Sequence, residues 1–170
     1  MPQYWFTADT HFNHNNIRIH CHRPFSTVVE MNEALIANWN KLVKPDDFVY
    51  HLGDFCFRQG DKIFERLKGR KYLICGNHDS NHTKKMDWVW VKDSAMIKIN
   101  EQYIYLHHYA CRVWNRSFHG AWHLYGHSHG SLRPYGKSFD VGVDSHDFKP
   151  WAWSEIVVEM ATLSKITNFV

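Results

Sequence analysis

Five apolar runs in this chain each stop at residues that can hold a metal ion, and this repetition limits the fold more than any other feature of the sequence. The run over residues 3–8 stops at Asp9-Thr10-His11, that over 48–52 at Gly53-Asp54, and that over 71–75 at Gly76-Asn77-His78-Asp79. Further on, 103–107 runs into His107-His108, and 122–125 into Gly126-His127-Ser128-His129. Short apolar runs bounded by glycine and polar residues read as buried strands. In an open α/β sheet ligands gather in the crevice at the carboxyl ends of the strands, so five separate segments can converge on one site. The 14 histidines of the chain, several of them paired one residue apart, exceed what core packing asks for. Residues spaced by one in extended backbone point to the same side. That spacing would let Asp9 and His11, or His127 and His129, reach a shared ion, with Gly126 and Gly130 permitting a tight backbone.

The segments between these runs supply the rest of an α/β chain. Over residues 27–43, Val28, Met31, Leu35, Ile36, Trp39, Leu42 and Val43 keep helical spacing, and Thr27 with Glu30 forms a capping-box pattern. A shorter helix is expected over 61–68, closed by Gly69. Strand, helix and strand in alternation imply parallel pairing with right-handed crossovers. Beyond Trp88 the texture is β, with strands expected over 88–91, 95–99, 103–107, 122–125 and 139–143 and a hairpin turn at Asn100-Glu101. Residues 154–160 suit helix through Glu155 and Glu159 and strand through Ile156-Val157-Val158. With 170 residues, 44% of them hydrophobic, one core and a single domain spanning 1–170 are expected.

The amino terminus lacks the pattern of a signal peptide and no apolar stretch approaches a membrane span, so a cytoplasmic protein without a membrane partner is expected. Cys21, Cys56, Cys75 and Cys111 are too scattered for a zinc ribbon or a disulfide framework and read as free thiols. A net charge of +3 suits an anionic substrate but does not by itself call for nucleic acid.

Carboxylate, imidazole and amide donors together favour Mn²⁺, Fe²⁺ or Zn²⁺ over Mg²⁺, which prefers oxygen, and over structural zinc, which prefers thiolate. So many donors imply two divalent ions, which at roughly 3.5–4 Å apart can clamp the attacking and leaving oxygens of a phosphoryl displacement.

The order Asp9-Thr10-His11, Gly53-Asp54, Gly76-Asn77-His78-Asp79, His108 and Gly126-His127-Ser128-His129 resembles that of the calcineurin-like metallophosphoesterase superfamily. The likeness covers nearly the whole chain, and residues 7–40 are similar to small bacterial and phage members. It implies an α/β fold of the four-layer αββα sandwich type, mixed sheets flanked by helices. It also implies that Asp9, His11 and His129 hold one metal, that Asn77, His108 and His127 hold the other, and that Asp54 bridges them. His78 is then the general acid beside metal-bound hydroxide, with Asp79 orienting or charging it. His108 is preferred to His107 because it precedes Tyr109, although Ala110 stands where related chains usually carry proline.

After Asp54 the chain reads Phe55-Cys56-Phe57-Arg58 and departs from the Asp-Arg-Gly continuation of protein serine/threonine phosphatases, which makes protein substrates a poor fit. Arg18, Arg23, Arg58 and Arg112 are candidate phosphate contacts. His14, Asn15, Asn16, His20 and His22 could line the entrance or simply be solvated; Trp122 reads as core, and Trp114 and His119 stay open between stacking wall and core. The expected activity is hydrolysis of a small phosphodiester or phosphomonoester, a nucleotide-like one favoured, with Mn²⁺ the ion for an assay. The rivals are a metal-dependent nuclease, disfavoured by scattered basic residues, and a non-catalytic scaffold like the retromer subunit that resembles this fold.

Overall fold

The computed structural model describes residues 1–166. Strands β1 (Tyr4–Thr7), β2 (Phe48–His51), β3 (Arg70–Ile74) and β4 (Val91–Lys92) pair in parallel, as the strand and helix alternation requires. The second sheet is built from β5 (Ser94–Ile99), β6 (Gln102–His107), β7 (Trp122–Tyr125) and β8 (Ser138–Asp140), with β5 antiparallel to β6 and the others parallel. A short β9 (Trp151–Ala152) returns to the first sheet beside β1, antiparallel to it, giving the order β4-β3-β2-β1-β9 against β5-β6-β7-β8. Two mixed sheets flanked by helices are therefore present.

Alternation along the strands builds two cores. Trp5, Val49 and Leu73 turn one way, onto Met31, Leu35, Ile36 and Trp39 of α2 (Val28–Leu42) and Ile63 and Phe64 of α3 (Asp61–Arg66). Phe6, Tyr50 and Ile74 turn the other way, onto Ile104, Leu106, Leu124 and Phe139 of the second sheet. Strands buried on both faces need apolar residues at nearly every position, which is why they read as continuous runs. The outer face of the second sheet is covered by residues 109–121, where Trp114 lies against His123 and donates its Nε1–H to Ala121 O. Among the described residues no helix is long and apolar enough to cross a membrane.

Local signals account for most boundaries. Thr27 Oγ1 accepts from Glu30 N at 3.1 Å, while the Glu30 carboxylate accepts from Ser26 N, one residue upstream of the reciprocal bond in a capping box. Asn100 and Glu101 both take positive φ, 45° and 66°, as a tight two-residue hairpin demands. Residues 154–160 fall within α5 (Trp153–Thr162), where Ile156 and Met160 are one turn apart and both buried between the sheets. The strand expected at 88–91 shrinks to a short β4. Trp88 packs its ring on Phe55 and Phe64 and donates its Nε1–H to Thr83 O, and the bonds to β3 begin at the next residue, with Val89 N donating to Lys71 O. The histidine-rich segment after Asp9 holds α1 (Asn15–His20), whose single buried residue, Ile17, leaves no periodicity to detect. A further turn, α4 (Asn81–Lys84), follows the Asn77-His78-Asp79 motif, with Ser80 as its cap.

Candidate metal centre

The five motifs meet at one end of the two sheets. Ligand atoms of Asp9, His11 and His129 lie within 4.8 Å of one another, and so do those of Asp54, His108 and His127. Asp54 joins the two groups: its Oδ2 is 3.5 Å from both His11 Nε2 and His108 Nε2. Asn77 sits at the rim of the second group, its Oδ1 3.2 Å from His108 Nε2 and accepting from Tyr109 Oη. His108 is fully buried with Nδ1 on Leu52 O, whereas His107 faces outward against Tyr105 and Tyr109.

Convergence does not come from extended backbone, as the spacing of Asp9 with His11 and of His127 with His129 had implied. Asp9, His11, Asp54, His127 and His129 all have positive φ, from 47° to 66°, a region that residues other than glycine seldom enter. Strain of this kind persists only where surrounding bonds enforce it. Here Asp9 N donates to Gly53 O and His11 N to Asp54 O, both at 3.0 Å, while Arg23 donates to the carbonyls of Asp9 and Thr10. Close approach is what Gly126 provides: a Cβ there would stand 2.5 Å from Ala8 Cβ and 2.7 Å from Asp9 Oδ2.

Three further carboxylates hold this framework. Asp79 accepts from the backbone amides of Asp54, Phe55 and Gly76, so both of its oxygens are committed to backbone. The expected partnership of Asp79 with His78 is thereby corrected: Asp79 ties the Asp54 loop to the Asn77 turn. Asp140 accepts from Ser128 Oγ and Gly130 N and fixes the His127–His129 loop from below. Asp144, absent from the motifs, accepts from His129 Nδ1 and from Arg23 through Nε and Nη2, each at 2.7 Å. In the sequence it stands directly after the run over 139–143 that reads as a strand.

The donor set fits divalent cations. Asp9 Oδ1 and His11 Nε2 are buried without a hydrogen-bond partner, and both belong to the first cluster. Orphaned buried polar atoms are costly, and a cation would satisfy both at once. Burial, with Asp140 and Asp54 nearby, pushes the Asp9 carboxyl well above the usual carboxylate range. Burial also drives the His11 imidazole down to about 2, keeping its ring neutral and able to ligate. At Asp54 burial acts upward, but the bond and charge of His108 outweigh it and leave the carboxyl below its ordinary range.

The remaining expected residues divide. His78 is exposed beside the clusters, its backbone N donating to Asp54 Oδ1 at 2.8 Å and its ring 5.5 Å from that of His11. Arg58 lines a cleft of about 300 Å³ with Asn13, His14, Asn15, Asn16 and Phe57. Arg112 borders a different groove with Ala110, Arg133 and Tyr135. Arg18 is tied to Phe25 O and Asn15 Oδ1. Arg23 is not placed to meet substrate, because its buried guanidinium is spent on Asp144, Thr10 O and Asp9 O. Trp122 packs against Trp153, and His119 is exposed on a short turn.

No protein-family model matches the chain. Over 182 aligned residues it is 32% identical to an uncharacterised protein of Methanocaldococcus jannaschii, spanning 100% of this chain and 97% of that one. A solved structure of a protein of unknown function from Aquifex aeolicus superposes with a TM-score of 0.77 at 26% identity, over 94% of this chain and 100% of the other. A phosphoesterase from E. coli gives a TM-score of 0.47 at 18% identity, over 82% of this chain and 78% of the other. At 32% identity over its whole length, this chain belongs to the family of the Methanocaldococcus protein.

Proposed function

We propose that the protein is a phosphoesterase that uses two divalent cations, Mn²⁺, Fe²⁺ or Zn²⁺, to hydrolyse a small phosphodiester or phosphomonoester, a nucleotide-like substrate being favoured. The observation that carries this reading is the position of Asp54, whose Oδ2 lies 3.5 Å from ring nitrogens of both His11 and His108, so one carboxylate can serve two clusters. Two divalent cations bound there would polarise the phosphoryl oxygens and make hydroxide available near neutral pH.

Asp9, His11 and His129 are the proposed ligands of one ion, Asn77, His108 and His127 those of the other, and Asp54 belongs to both. Asp144 and Leu52 O accept from the Nδ1 atoms of His129 and His108, which leaves each Nε2 free to ligate. His78 is pinned through its backbone to Asp54 and carries an exposed ring, so it is the group suited to give a proton to the leaving oxygen. Arg58, at the edge of the neighbouring cleft, is suited to pair with a phosphoryl oxygen.

The test is hydrolysis of bis-p-nitrophenyl phosphate and p-nitrophenyl phosphate by chelator-stripped protein resupplied with Mn²⁺. Turnover should require the metal, and His78→Ala should lower kcat about 10²–10⁴-fold while bound Mn²⁺ stays at the wild-type level. Wild-type turnover by His78→Ala would remove the assigned role of His78. A metal-loaded protein silent toward both esters would favour the scaffold reading.

A further inference from the structure

Of the four histidines read as ligands, three have Nδ1 within reach of a partner, and these partners differ in kind. His129 uses the Asp144 carboxylate and His108 the Leu52 carbonyl, both pure acceptors. His11 has neither: its Nδ1 lies 3.3 Å from Nδ1 of His14. Read as a metal ligand, His11 Nε2 carries no hydrogen, so the proton of the neutral ring is on Nδ1, and His14 Nδ1 is then the acceptor. A neutral imidazole that accepts at Nδ1 carries its hydrogen on Nε2.

The surroundings of His14 hold it for that purpose. Its ring lies flat on the 44% exposed Phe57, centroids 4.5 Å apart and planes 10° apart, and the Arg58 guanidinium lies 5.4 Å from the centroid of the same Phe57 ring. Both sides of this stack are locked together. Asn13 donates to the carbonyls of Arg58 and Gln59 and accepts from Asn32 of α2, while Phe57 N bonds Phe12 O. His14 also borders the cleft that holds Arg58, and its ring is 6.1 Å from that of His78.

We propose that His14 holds His11 in the metal-ligating tautomer and, through the same hydrogen bond, presents its own Nε2–H to the cleft as a donor to a phosphoryl oxygen of the substrate. It is a positioning residue toward the metal and a direct contact toward the phosphate. The inference rests on the reading of Asp9, His11 and His129 as ligands.

The experiment is Mn²⁺ titration by calorimetry of chelator-stripped wild type, His14→Ala and His14→Asn, with KM for bis-p-nitrophenyl phosphate measured at saturating Mn²⁺. In His14→Ala one site should weaken about 10–100-fold and the other stay as in wild type. Asn places Oδ1 near the lost Nδ1 but has nothing at the Nε2 position, so His14→Asn should recover most of the metal affinity while its KM stays as high as that of His14→Ala. Wild-type affinity in His14→Ala, or no recovery in His14→Asn, overturns the positioning role, and a wild-type KM in His14→Asn overturns the phosphate contact. If wild type itself takes up no Mn²⁺, the metal reading falls and this inference with it.

Discussion

The Asp144 carboxylate receives three charge-assisted or ring N–H bonds at 2.7 Å, from His129 and from two nitrogens of Arg23. Burial would raise its pKa, but these two partners hold it below the ordinary range, so it stays ionised and keeps the proton of His129 on Nδ1. Replacing it by Asn removes the charge and offers His129 a weaker acceptor. Asp144→Asn should therefore lower Mn²⁺ affinity about 10–100-fold, read by the same titration. It should also lower the melting temperature of the metal-free protein, because the buried Arg23 guanidinium loses its counter-charge. Asp54, His78 and the paired histidines stand out in the sequence because they end apolar runs. Asp144 likewise follows a run read as a strand, 139–143, but its partners, His129 and Arg23, lie 15 and 121 positions away and only the folded chain brings them together.

Elements whose amphipathic pattern is long enough declare themselves. α2 spans 15 residues with a side-chain cap at Thr27 and an inward stripe from Met31 to Trp39, and both features are readable in order along the chain. Thr27→Ala should cost about 1 kcal/mol in urea unfolding and leave kcat unchanged, because the cap bond stabilises the helix end and touches no ligand. An unaltered stability would mean that Glu30 with Ser26 caps the helix alone. The six-residue α1 has one buried position and a capping residue, His14, that makes no side-chain cap bond. Nothing in a local window distinguishes such a turn from a loop. Trp88, one residue before the first bond to β3, is held in the core by Phe55 and Phe64, partners that no local window contains.

At the scale of the whole molecule, the layer of residues 109–121 buries His123 completely, with Nδ1 on Tyr105 O and Nε2 accepting from Cys111 N. Burial drives its pKa down from 6.5 to about 4. The unfolded chain takes up a proton on this residue as pH falls through 6.5, and the folded chain does not until about 4. The stabilisation is thus fully present above pH 6.5 and is lost as pH falls from 6.5 toward 4. In chelator, His123→Gln should flatten the dependence of unfolding free energy on pH across that window by up to about 1.4 kcal/mol per pH unit. Parallel pH profiles for the two proteins from chemical denaturation would show that His123 does not titrate this way.

Strand-end clusters of Asp, His and Asn, the α2 helix and the alternation of strand with helix follow from the sequence alone, because each depends on residues close together in the chain. Which atoms face one another depends on contacts far apart in sequence. Left-handed backbone at Asp9, His11, Asp54, His127 and His129 is enforced by bonds to Gly53, Asp54 and Arg23 and by carboxylates such as Asp79 and Asp140. Arg23 and Arg58 look alike in the sequence, yet packing buries one beneath the ligand loops and leaves the other at the cleft. The sequence thus determined which donors the protein owns. Only the tertiary structure decided which of them would be left buried without a partner, because hydrogen-bond satisfaction is settled when distant segments close on one another.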